Sequence, residues 1–278
     1  MHEDTLTIHW MTDLHLKDTV TGLPEAAGAI YAERHYYAAL DKLQQSVEII
    51  GAIKPDLVVC TGDVIDGRQP LRAFAEQWER IRSPKTFVLG NHDLDAGYSA
   101  VVAELGYSEG PEIAGSRFTR SFPLHKGDVR VRILILDTYV GEDGQHRYDT
   151  CEGTIGPAAF EWLEKEIMGC PEPVILLFSH NGMEGPAAYF DQRHAERFRE
   201  LARRLTQTGK RLYNLAGHHH VHPQALVKEI VPGYTYVNGV AMIVGPLSYL
   251  NVLHVQKDGT LDIEYEEVRY RSTPHSPK

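Results

Sequence analysis

Hydrophobicity along this chain switches between two periods. Near-continuous apolar, β-branched runs at 6–12, 57–61 and 85–89 read as buried strands. Helical periodicity fills the gaps between them, at 32–53 and 71–82; on the first, Tyr36, Leu40, Leu43, Val47 and Ile50 recur at three- and four-residue steps and make one apolar face. Strand-like runs return at 129–136, 174–178 and 212–215, separated by helical patterns at 157–168 and 192–205. Pro157 stands where a first-turn proline is tolerated and Gly169 where a helix would stop. From 226 onward the pattern is all strand. Alternating strands and helices predict an α/β fold with helices packed on a sheet.

Two stretches, 18–28 and 141–156, are long for simple connections, and such loops beside a site act as lids or specificity elements. The tail 271–278 is expected to be disordered. A chain of 278 residues can bury a substantial core, and one domain spanning 1–270 is expected.

Net charge is −10 with no Lys/Arg-rich run, which removes the electrostatic footprint of a nucleic-acid or anionic-membrane partner and disfavours a nuclease. Small soluble substrates remain. An anionic one would have to be drawn by bound cations and a few local arginines, because the field of the whole chain repels it. The three cysteines, Cys60, Cys151 and Cys170, have no C-x-x-C spacing, and an odd count suits a reducing compartment better than a disulfide framework. The N-terminal residues show neither a basic n-region nor a long apolar stretch, so a cytoplasmic location is expected.

The candidate chemistry lies in five short segments: Asp13-Leu14-His15, Gly62-Asp63, Gly90-Asn91-His92-Asp93, Ser179-His180 and Gly217-His218-His219-His220. Each follows a strand-like run, so their donors would converge on one edge of a sheet. Carboxylate, amide and imidazole donors without thiolates describe a site for two borderline or hard divalent ions such as Mn, Fe, Zn or Co. Asp13 and His15, two apart on an extended segment, would face one ion, and Asp63 has two oxygens with which to bridge a pair. Extended geometry puts His218, His220 and His222 on one face and His219 on the other, and spacing alone does not say which of the four binds.

This ordered set resembles the calcineurin-like metallophosphoesterase superfamily over roughly residues 6–220. The resemblance implies a β-sandwich flanked by helices on both faces. It implies Asp13, His15, Asp63 and His220 on one metal, and Asp63, Asn91, His180 and His218 on the other. It makes His92 the uncoordinated catalytic histidine. Asp93, adjacent in the chain, is expected to orient that imidazole. The implied chemistry is hydrolysis of a phosphoester or phosphoanhydride by a water activated between two cations. Ser179-His180-Asn181-Gly182 departs from the His pair and proline that many phosphodiesterase members carry in the fourth segment. A second resemblance, to manganese-dependent ADP-ribose/CDP-alcohol diphosphatases, runs through Arg34-His35-Tyr36-Tyr37, Gly62-Asp63-Val64-Ile65-Asp66-Gly67 and Tyr236-Val237-Asn238.

Further residues are candidates for substrate contact. Arg68 could meet a phosphate or pair with a surface carboxylate; Tyr36 could stack on a base or belong to the core face of its helix; His222 could reach the substrate. The expected activity is hydrolysis of a small, nucleotide-like phosphate ester. Its rivals are a cyclic-nucleotide phosphodiesterase, a broad phosphomonoesterase, and a non-catalytic scaffold of the same fold, the last opposed by His92 and the complete ligand set.

Overall fold

The computed structural model describes residues 5–17, 34–148, 150–186 and 189–271. The expected 18–28 loop and the tail from 272 lie outside the described residues. Eleven strands form two sheets among those described. In the first, β1 (Leu6–Met11), β2 (Leu57–Cys60) and β3 (Lys85–Phe87) run parallel. The second contains β4 (Arg120–Lys126), β5 (Val129–Leu136), β6 (Val174–Ser179), β7 (Arg211–Val221), β8 (Leu226–Val231) and β9 (Tyr234–Val240), in the order β4-β5-β6-β7-β9-β8. The antiparallel pair β10 (Leu247–Val255) and β11 (Leu261–Arg269) returns to β1 and completes the first sheet.

Alternation along the strands explains why the sheets stack. Leu6, Ile8 and Trp10 of β1 meet Val131, Ile133 and Ile135 of β5 and Leu176 and Phe178 of β6 in one inter-sheet core. The opposite faces are apolar too, and helices cover them. The helices α1 (Tyr36–Ile53) and α2 (Leu71–Arg80) close a core with Met11, Val58 and Phe87 on the first sheet. On the second, α4 (Pro157–Gly169) and α5 (Gln192–Thr206) bury Leu163 and Phe198 with Leu134, Ile175 and Leu177. Burial on both faces is why these strands read as continuous apolar runs. The architecture is the expected β-sandwich with helices on both sides.

Two elements escaped the sequence pattern. The edge strand β4 carries Pro123 and alternates half-buried with exposed residues, a composition tolerated only where one side of a strand has no partner. The short helix α3 (Tyr98–Glu104) has no side-chain cap and too few turns to show a period. The α2 pattern stops earlier than expected because Ile81 is extended. The 141–156 stretch is tied down by bridges from Val140 to His146 and from Gly153 to Phe190. No described helix is long and apolar enough to cross a membrane.

Candidate metal centre

Strand ends deliver the candidate ligands through unusual backbone. Asp13 (φ 53°), His15 (50°), Asp63 (51°), His218 (73°) and His220 (46°) all lie in the left-handed region, five of the seven such non-glycine residues among those described. Each costs about 1–3 kcal/mol and persists only where its surroundings hold it. They do: the Asp13 and His15 N–H groups donate to the Gly62 and Asp63 carbonyls at 3.1 and 2.9 Å, and the His218 N–H donates to the Asp13 carboxylate at 3.0 Å. This corrects the extended-strand expectation. The β7–β9 register breaks between Ala216 and Val221, and the irregularity sends His218 and His220 to different clusters.

Asp13, His15, Asp63 and His220 form the first cluster, and Asp63, His180 and His218 the second. In the first, His15 Nε2 lies 3.0 Å from His220 Nε2, and His220 Nε2 lies 3.6 Å from Asp13 Oδ1. In the second, His180 Nε2 lies 3.1 Å from His218 Nδ1. Asp63 joins them through one oxygen, not the two expected: Oδ2 is 3.7 Å from His15 Nε2 and 3.2 Å from His180 Nε2, while Oδ1 accepts the His92 N–H at 2.9 Å. Asn91 stands beside the cavity at His92, its Oδ1 accepting the Tyr139 hydroxyl at 3.1 Å.

Two imidazole nitrogens facing each other at hydrogen-bond distance can share only one proton, whereas a cation satisfies both lone pairs. The charges tell the same story. Burial works to lower the His180 imidazole, but the Asp63 carboxylate overrides it and lifts it to about 9. Burial depresses His15 well below the ordinary histidine range and, with His180 beside it, takes His218 to about 3. Burial acts to raise both Asp13 and Asp63; His220 outweighs it at the first and His180 at the second, so both carboxylates are held low. A buried, anionic oxygen-and-imidazole pair of sites sharing one carboxylate fits a dinuclear divalent centre.

His92 borders this centre, its ring edge-on to His15 with centroids 4.8 Å apart. Its Nδ1 turns to Asp95 Oδ2 at 3.6 Å and Asp66 Oδ1 at 3.9 Å. Asp93 does not orient it. Both Asp93 oxygens are buried on backbone: Oδ2 accepts the N–H groups of Asp63 and Gly90 at 3.0 and 2.8 Å, and Oδ1 that of Val64 at 2.9 Å. Burial and the Asp63 charge push this carboxyl up to about 7 against the pull of those amides. Asp93 therefore splices the second and third segments together.

Asp66 is the residue that sequence reasoning passed over. Tyr36 donates to its Oδ2 at 2.7 Å, and Arg34 and Lys17 approach at 3.5 and 3.8 Å. The available signal was a carboxylate three residues after Asp63, inside a segment already singled out. Tyr36 thus lies near the site with its hydroxyl engaged and Lys17 Nζ 4.7 Å over its ring. Arg68 is exposed, without an ion pair among the described residues. His222 is not brought to the clusters; it pairs with the Leu247 carbonyl and leans on Tyr249. Asn181, where the His-Pro pattern is missing, donates to the Cys151 and Tyr189 carbonyls at 2.9 and 3.0 Å and so fixes two loops beside His180.

Known proteins resemble this chain in sequence and in fold. The chain is 24% identical over 201 residues to the 3',5'-cyclic adenosine monophosphate phosphodiesterase CpdA of Escherichia coli K12, a match covering 69% of this chain and 66% of that relative's length. In fold it is similar to a dimetal phosphatase from Danio rerio, with TM-score 0.69 and 15% identity over 96% of this chain and 100% of the other. It is also similar to a 5'-nucleotidase precursor from Thermus thermophilus, with TM-score 0.56 and 18% identity over 96% of this chain and 54% of that one. The family model for calcineurin-like phosphoesterases matches residues 6–222, which takes in all five segments, and the chain belongs to that family of metal-dependent phosphoester hydrolases.

Proposed function

We propose that this hydrolase acts on small, nucleotide-like phosphate esters, with Asp13, His15, Asp63 and His220 holding one cation and Asp63, Asn91, His180 and His218 the other. The observation that carries it is Asp63 Oδ2, which faces the imidazole sets of both clusters at once. Mn, Fe, Zn and Co suit such donors. When bound, two such ions neutralise phosphoryl oxygens and acidify a water toward neutral pH. The chain's own residues do the rest. His92, with Nδ1 turned to Asp66 and Asp95, has Nε2 left for the leaving oxygen and gives it a proton. Asp66 holds that ring, and Tyr36, Arg34 and Lys17 hold Asp66.

Cyclic nucleotide hydrolysis is the second reading, favoured by the similarity to CpdA. A nucleoside diphosphate ester is the third, supported by the resemblance through Arg34-His35-Tyr36-Tyr37 and by Arg68, unpaired among the described residues. The test is to strip the protein, reconstitute it with Mn, Fe, Zn or Co, and measure metal content and kcat/KM on AMP, cyclic AMP, ADP-ribose and p-nitrophenyl phosphate. Two ions per chain and turnover of nucleotide esters are expected. A single tightly bound ion at saturation, or no turnover with any metal, would remove the proposal, and the substrate ranking chooses among the three readings.

A further inference from the structure

A cavity of about 520 Å³ opens beside His92, lined by Asp66, Asn91, Leu94, Asp95, Tyr148, Thr150 and Cys151. We propose that it is the leaving-group subsite, and that it selects an uncharged, hydroxyl-bearing nucleoside over a group carrying its own phosphate. The inference rests on the reading that His92 serves the leaving oxygen. As the water oxygen bonds to phosphorus and the ester P–O bond breaks, the departing oxygen takes its proton from His92, so the leaving group lies on the His92 side.

The lining decides what fits there. Among the described residues it contains two carboxylates and no lysine or arginine. Lys17 and Arg34 pair with Asp66 and are not among the described residues that line the cavity. Residues 18–33, outside the described structure, contain no Lys or Arg in sequence. Asp95, half-exposed, has the His92 ring as its one ion-pair partner among the described residues, and no lysine or arginine pairs with it there. A phosphate on the leaving group would meet the Asp95 carboxylate, whereas ribose hydroxyls could donate to it. Tyr148, 50% exposed, offers a ring face for a base. The wall is fixed from behind, because Asn181 holds the Cys151 carbonyl and Thr150 Oγ1 accepts the Glu152 N–H at 3.0 Å.

The experiment compares adenosine 5'-phosphate with adenosine 3',5'-bisphosphate on the Mn-loaded enzyme, with release of the 5'-phosphate followed by chromatography. The two leaving groups differ by one phosphate. Wild type should favour the monophosphate by about fivefold or more in kcat/KM, the worth of one contact-distance charge pair in water. Asp95→Lys should swing that ratio toward the bisphosphate by about 20-fold, from loss of one charge and gain of its opposite. Tyr148→Ala should lower the ratio of AMP to ringless glycerol 2-phosphate by about tenfold, the scale of base stacking on an aromatic side chain. Equal kcat/KM for mono- and bisphosphate, or a ratio that Asp95→Lys leaves unmoved, overturns the subsite. Turnover of p-nitrophenyl phosphate in the same preparation would then show that the esterase reading survives; no turnover of any ester would overturn both.

Discussion

Replacing Gly90 with alanine should disable the centre without replacing a ligand. A Cβ there would lie 2.3 Å from both the backbone nitrogen and Oδ1 of Asp63 and 3.0 Å from its Cγ, where ordinary contact begins at 3.4 Å. Something must therefore move by about 1 Å, and none of the atoms met is the free end of a flexible chain. The Asp63 nitrogen donates to Asp93, and Oδ1 accepts from His92, so displacing Asp63 also breaks those bonds. Overpacking of this kind costs about 1–3 kcal/mol of stability. A 1 Å misplacement of catalytic geometry costs about 100-fold in turnover. Both cation sites should weaken, because Asp63 serves both clusters. The assays are thermal unfolding, manganese calorimetry and kcat with p-nitrophenyl phosphate. Gly51→Ala is the control: it lies inside α1 with nothing within 4 Å and should stabilise the protein by about 0.5–1 kcal/mol. If Gly90→Ala kept wild-type kcat and bound two ions unchanged, the close approach of the two segments would have no functional meaning.

Other perturbations separate the remaining contacts. Tyr139→Phe removes the donor to Asn91 Oδ1 and should weaken the second cation by about 10–100-fold while the first keeps its affinity; calorimetry showing two unaltered sites would dismiss the role. Asp63→Ala should lose both ions and Asp13→Ala only one, so equal losses by elemental analysis would count against the shared oxygen. Lys42 is fully buried, its Nζ donating to the Met242 and Gly245 carbonyls, and burial brings it down to about 8. Below pH 8 both folded and unfolded chains hold its proton and the burial penalty is complete; between about 8 and 10.5 the folded chain releases it first. Wild-type stability relative to Lys42→Met should therefore rise by about 1–3 kcal/mol across that window in urea titrations, and a flat or falling difference would refute the assignment.

Residue type was legible in the sequence, and direction was not. Metal chemistry demands particular donors, so Asp13, His15, Asp63, His180, His218 and His220 stand out by identity, and all six do meet in the two clusters. Most of the α1 face was equally readable, because packing on a sheet fixes its period: Leu43, Val47 and Ile50 are buried as expected, while Leu40 is 41% exposed. Inferences from chain adjacency to contact held for Asp13 and His15, which share a cluster, and failed for Asp93 and His222. Asp93 follows His92 directly, yet the 3-10 turn at His92–Ala96 aims it into backbone amides, and Asp66, far back in the chain, reaches the imidazole instead. His222 continues the alternation of His218 and His220 on paper, but that alternation assumes an extended strand, which φ angles of 73° and 46° deny.

That failure has a physical origin. A left-handed residue turns the chain so that its neighbours no longer alternate, and period-two reasoning breaks where strain is concentrated. Strain on Asp13, His15, Asp63 and His218 is tolerable because the backbone of each is bonded to another segment, and the close approach of Gly90 to Asp63 and of Gly217 to Thr12 and Asp13 lets those bonds form. A Cβ on Gly217 would fall 2.0 Å from Thr12 Oγ1 and 2.7 Å from Asp13 Oδ2, so this glycine guards the first cluster as Gly90 guards the shared carboxylate. The motif glycines were readable as turn formers, but Gly90 and Gly217 do not have positive φ. They are glycine because another segment's backbone or ligand occupies the space a side chain would need, a constraint that exists only once the segments have met.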